Sequence, residues 1–160
     1  MTLSLRSFRT AATLVAITAF AACSSKKDDP AAPPAPGVTW TVDGNNITAT
    51  NIQRSNSGNN FEFAGSYTTS TSSSVGVDIT LPKAVGTYAV PGSGATAVQA
   101  IYVAITPGGA AGYIGTAGTV TVTSVTATNI IGTFSFTGTD SFNGNSTTKT
   151  ITNGKFNVTL

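Results

Sequence analysis

From Val38 to Leu160, apolar and polar residues alternate repeatedly with a period of two, and no stretch sustains a helical period. VGVDITL (75–81) is the cleanest case: Val75, Val77, Ile79 and Leu81 share one face, and Pro82 ends the run. VTWTV (38–42), DGNN (43–46) and ITATNIQ (47–53) read as a hairpin, because Gly and Asn tolerate the positive φ of a tight turn. FEFAGSYT (61–68) and the short GTYAV (86–90) read as strands. In GTVTVTSV (118–125) Val120 and Val122 point inward, and in IIGTFSFTG (130–138) Phe134 and Phe136 share a face. VQAIYVAIT (98–106), nearly continuous in apolar residues, reads as a central strand. SNSGNN (55–60), PGGAAG (107–112) and residues 139–146 read as loops, with Tyr113 and Ile114 opening a separate short strand. KTITNGKFNVTL (149–160) holds a last hairpin or bulge at Asn153–Gly154.

About nine to ten short strands, joined by connections too short for helical crossovers, predict an all-β fold: an antiparallel β-sandwich or flattened barrel. GTY (86–88), GTV (118–120) and GTF (132–134) repeat one device, each predicted to start a strand. Gly turns the corner, Thr faces out and the large residue enters the core. Disorder is the alternative for a chain rich in Ser, Thr and Gly; the 40% apolar content and its regular alternation argue against it.

The first part of the chain has a different pattern. Arg6 and Arg9 precede a run of small and apolar residues, Ala11–Ala22. A helix needs about 20 residues to cross a bilayer, so this run is too short and fits the apolar region of a secretory signal peptide. The chain's one cysteine, Cys23, follows Ala22 directly, and SSKKDD (24–29) and PAAPPAPG (30–37) come next. The prolines favour an extended, semi-rigid stalk.

FAAC (20–23) resembles the lipobox of bacterial lipoproteins, with Phe20 where Leu is commonest. The resemblance implies cleavage between Ala22 and Cys23 and a diacylglyceryl thioether on Cys23. Lys26, Lys27, Asp28 and Asp29 look like the export signal of Bacteroidota lipoproteins, which implies the outer face of the outer membrane. The order of WTVDG, GTY, GTV, IGTFSFTG and ITNGKFNV is similar to that of a family of uncharacterised Bacteroidota lipoprotein domains. That likeness implies a β-sandwich-like fold and no particular activity. The organisation expected is a signal peptide (1–22), a lipidated, charged and Pro-rich linker (23–37) and a β domain (38–160).

Charge removes one class of partner. Apart from Arg6 and Arg9, the basic side chains equal the acidic ones in number, so the β domain carries no basic excess with which to hold nucleic acid. The chain has no histidine, which removes Ser-His-Asp and Cys-His catalysis and the commonest metal ligand. A carboxylate pair would have to come from Asp43, Glu62, Asp78 and Asp140. Glu62 and Asp78 fall on polar strand faces, where a solvated or cross-strand-paired role is favoured. Asp43 and Asp140 fall in turns, where Asp bonds local backbone. DGNN is read as a turn rather than a calcium loop, which would need more acidic ligands. Neither a cofactor nor a metal site is read. Trp40, Tyr67, Tyr88, Tyr102 and Tyr113 are the residues that could stack on a sugar. Trp40 and Tyr88 are favoured as core residues with satisfied polar tips, and Tyr113 is the best exposed candidate. The reading is a non-catalytic surface module anchored by lipid on Cys23, with a glycan or protein partner. A structural envelope lipoprotein is the alternative, and a hydrolase is the least favoured.

Overall fold

The computed structural model describes residues 35–70, 72–91, 94, 97–142 and 146–160. Ala22, Cys23, Lys26, Lys27, Asp28 and Asp29 lie outside the described residues, as does the stalk up to Pro34. The alternating pattern becomes ten strands: β1 (Gly37–Val42), β2 (Asn45–Thr48), β3 (Asn51–Ser57), β4 (Asn60–Ser70), β5 (Ser73–Pro82), β6 (Gly86–Val90), β7 (Gln99–Thr106), β8 (Gly109–Val125), β9 (Asn129–Asp140) and β10 (Thr148–Thr159). Every pairing is antiparallel. The all-β, antiparallel expectation holds. The strands belong to one continuous sheet rather than two, so the flattened barrel describes it better than the sandwich.

The sheet follows the path β2-β1-β10-β9-β8-β7-β5-β4-β3, with β6 joined to β8. Its two ends, β2 and β3, are successive pieces of one bent segment, so the path returns on itself. The bend at Ala49–Thr50 bridges them: Ala49 N–H donates to Val38 O at 2.9 Å, and Thr50 N–H donates to Ser66 O at 2.8 Å. Gly65 permits this approach of β4 to β1. A Cβ there would sit 3.1 Å from Val38 and 3.3 Å from Ala49, tighter than side chains usually pack. β6 and β7 lie end to end beside the long β8, β7 against its first half and β6 against its second.

Inward positions pack one core, with Trp40, Phe61, Phe63 and Phe156 among its largest fully buried side chains. Small barrels are filled by side chains in this way. Outward threonines pair across strands, Thr87 with Thr121 and Thr137 with Thr150, hydroxyl to hydroxyl at 3.1 and 3.2 Å. Such pairs are the ordinary unit of sheet stabilisation. The turn at Asp43–Gly44 has φ of 49° and 78°, the two-residue hairpin that the DG pair predicts. The irregularity at Asn153–Gly154 is a bulge in β10, where the register with β9 shifts between Ile151 and Gly154.

Five expectations need correction. SNSGNN is a loop only at Gly58 and Asn59, because Ser55, Asn56 and Ser57 end β3 and Asn60 opens β4. The loop read over 139–146 begins two residues too early, because Thr139 and Asp140 close β9. PGGAAG is not a loop throughout: only Pro107 and Gly108 turn, and β8 runs unbroken through Tyr113 to Val125. Gly and Ala give no alternation to read, and the partners β7 and β9 make the segment a strand. VQAIYVAIT is paired on both sides, but only one face is core; Ile105 on the other face is 45% exposed. In the Gly-Thr device, Thr faces out and Val120 and Phe134 are buried, yet only Gly86 starts a strand. Gly132 lies inside β9, where a Cβ would collide with the Thr121 carbonyl and the Phe156 ring.

Candidate functional site at one end of the barrel

Strand direction sorts the connections to two ends. One end carries the turns β1–β2, β4–β5 and β7–β8 and the β9–β10 connection. The other carries the β3–β4 and β8–β9 turns, the beginning of β1 at Gly37 and the last residue, Leu160. At the first end the barrel seam opens. Beyond the Thr50–Ser66 hydrogen bond, β2 pairs only with β1, and β4 continues past Ser66 paired only with β5. The diverging hairpins leave an open cleft of about 610 Å³. One wall is the β1–β2 hairpin, with Val42, Asp43, Asn45, Asn46, Ile47 and Thr48. The other holds Tyr67, Thr69 and Val75, and Tyr102 of β7 also lines the space.

Polar chemistry gathers here. The Lys149 ammonium meets the Asp43 carboxylate at 2.5 Å, the two side chains 31% and 58% exposed. Asp43 was read as a turn residue bonding local backbone. Its carboxylate instead takes a cation from 106 positions away, because β1 and β10 are neighbours. Asp140 does bond local backbone, its Oδ1 accepting the Phe142 N–H at 2.9 Å, but it is the buried last residue of β9 rather than a turn residue. Tyr102 and Tyr113 are cross-strand partners with ring centroids 5.9 Å apart. Gly138 of the neighbouring β9, diagonal to Tyr113, makes the room, since a Cβ there would meet the Tyr113 carbonyl and Cβ at 2.7 and 2.9 Å. Burial, then the Asp43 charge, then Tyr113 push the Tyr102 hydroxyl up to about 12, so it stays a proton donor.

Of the five candidate aromatics, Tyr67, Tyr102 and Tyr113 come together at this end. Tyr113 is not the exposed ring expected. It is 8% exposed, because β8 starts early enough to put it on the inward face. Tyr88 is half-buried on β6, its hydroxyl donating to Ala84 O at 2.9 Å, a satisfied polar tip. Trp40 is buried in the core as expected, but its indole N–H has no hydrogen-bond partner among the described residues. Nothing in the sequence singles out Thr69 or Lys149, and alternation marks Val75 only as a core-face residue. The DGNN pattern predicts Asn45 and Asn46 in the turn, whereas they are the first residues of β2.

The remaining carboxylates form a different feature. Glu62 and Asp78 lie diagonally on the outer face, Glu62 opposite Thr80 and Asp78 opposite Ala64. They line a groove of about 160 Å³ with Gln53, Arg54 and Ser55. Burial, then the Glu62 charge, raise the Asp78 carboxyl above its ordinary value. Ligand pockets commonly span roughly 300–1,000 Å³, so the seam cleft has the volume of a binding site and this groove does not.

Compared with known proteins, the chain matches no family model, no curated protein and no solved structure.

Proposed function

We propose that this chain is a lipid-anchored envelope protein whose barrel is a non-catalytic binding module, with the seam cleft as its site. The cleft carries the reading: the barrel interior is filled by side chains, and here two hairpins part to leave a space of about 610 Å³. The cleft opens at the end opposite Gly37, where the stalk joins the domain. FAAC supports acylation of Cys23, and the LysLysAspAsp run supports display on the outer membrane surface. Two or more buried acyl chains hold a protein firmly without spanning the bilayer. Replacing Cys23 with Ser should release the protein from the membrane fraction. Protease added to intact cells should degrade the native form. Retention of the variant on the membrane, or resistance of the native form on intact cells but not lysed ones, would count against the reading.

A second reading, an accessory envelope protein that docks to other proteins, has one observation in its favour. Ile105, Ile114 and Phe142 are 45%, 47% and 60% exposed on or over the outer face of β7 and β8. Phe142 lies against Gly112, where a Cβ would overlap its ring.

A further inference from the structure

We infer that the seam cleft takes the terminal unit of an uncharged oligosaccharide. This rests on the cleft being the binding site and names its ligand class.

Four features select that chemistry. First, the wall and the deeper lining are tyrosines, Tyr67 and Tyr102. Tyrosine rings offer flat apolar surface to the C–H face of a pyranose and a hydroxyl to its oxygens. Second, the rim is made of amides and hydroxyls: Asn45, Asn46, Thr48 and Thr69. Thr41 Oγ1 donates to Asn46 Oδ1 at 2.6 Å, and Asn45 Nδ2 donates to Asp43 O at 3.3 Å. Those bonds use one function of each amide. Asn45, paired with inward Val42, lies on the cleft side of the hairpin, and its Oδ1 is left as an acceptor for a sugar hydroxyl, whereas Asn46 is held by Thr41 on the outer face.

Third, the charge of the rim is internally cancelled. Lys149 neutralises Asp43, so neither a carboxylate nor an ammonium on the ligand finds an uncompensated partner there. The Tyr102 hydroxyl stays protonated across the biological pH range and adds a donor without adding charge. Fourth, the interior is closed to long apolar chains. Beyond the cleft the barrel is packed with Phe63, Phe134, Phe136 and Phe156. An acyl chain would need a continuous apolar tunnel, whereas an open cleft of about 610 Å³ admits the end of a hydrophilic chain and leaves the rest in solvent.

The test is calorimetric titration of the full-length protein with maltotriose, cellotriose, mannotriose and chitotriose, and with trigalacturonate as the charged control. At least one uncharged trisaccharide should bind saturably. Its affinity should fall about tenfold or more with Tyr67→Ala, and by a comparable factor with the exposed-rim variant Asn45→Ala. The second variant keeps the test decisive if the first fails to fold. Binding of trigalacturonate as tight as any neutral trisaccharide, or affinities untouched by both variants, would overturn the proposal. Hydrogen exchange with palmitate and with trialanine separates the two levels of the argument. Protection of residues 42–48 and 66–75 by either probe, with no saccharide binding, would overturn the ligand class and keep the cleft as a site. No protection by any probe would overturn both.

Discussion

The two ends of the barrel are filled by different aromatic residues. Away from the cleft, Phe61, Phe63, Phe134 and Phe156 form a cluster in which Phe63 lies 6.3, 6.4 and 5.0 Å from the other three rings. At the cleft the rings are Tyr67 and Tyr102, with Tyr113 packed against Tyr102. Phenylalanine fills space with no polar atom to satisfy, which suits a sealed interior. Tyrosine carries a hydroxyl that needs a partner or water, which suits a boundary with solvent. The same backbone architecture therefore supports a packed end and an accessible end, and one oxygen per ring marks which is which.

The largest effect should come from breaking the sealed end. Phe63→Ala removes a ring that three others contact and should cost about 3–5 kcal/mol in urea unfolding, the usual range for a buried phenylalanine. A loss under about 1 kcal/mol would mean that the cluster is not the core it looks to be. Gly132→Ala should come next. The added methyl collides with the Thr121 carbonyl and the Phe156 ring, and overpacking of this kind costs about 1–3 kcal/mol. A midpoint at or above that of the native protein would contradict the account of this glycine.

At the open end the same measurement should move little. Lys149→Met removes a part-exposed ion pair and should cost no more than about 1 kcal/mol, with the difference shrinking as salt is added. A larger loss that salt does not reduce would mean that the hairpin depends on this contact for its fold. The smallest effect expected is on the outer face. The Asp78 carboxyl is raised above its ordinary value in the folded state, so its linked stability is fully present below the ordinary carboxylate range and is lost as pH rises through the folded value. Asp78→Asn should therefore raise the melting midpoint slightly at neutral pH. The gain should vanish as pH falls below the ordinary aspartate value. A gain that grows on acidification would reverse the sign and refute the assignment.

Much of the sealed end was legible in the sequence, and most of the open end was not. Val77, Ile79, Leu81, Val120, Val122, Phe134 and Phe136 are picked out by alternation and are all buried. Alternation works there because each inward side chain is large and its neighbours are threonine, serine or charged. It fails where Gly and Ala remove the contrast, as in residues 109–112, and there the partner strands decide. Closure of the barrel depends on the Ala49–Thr50 bend and on Gly65, which no local pattern announces. The cleft is a product of that closure, so its residues share no motif. Tyr67, Tyr102 and Tyr113 were named as candidate rings from their chemistry alone. Lys149 reaches Asp43 only because the last strand lies beside the first.

The most direct test is hydrogen exchange of the full-length protein with and without a saturating neutral trisaccharide, resolved to peptides. The account requires added protection over residues 42–48, 66–75 and 100–106, and none over 128–135 or 154–160. Protection centred instead on residues 53–62, beside the Glu62–Asp78 groove, or no change at the seam under saturation, would contradict it.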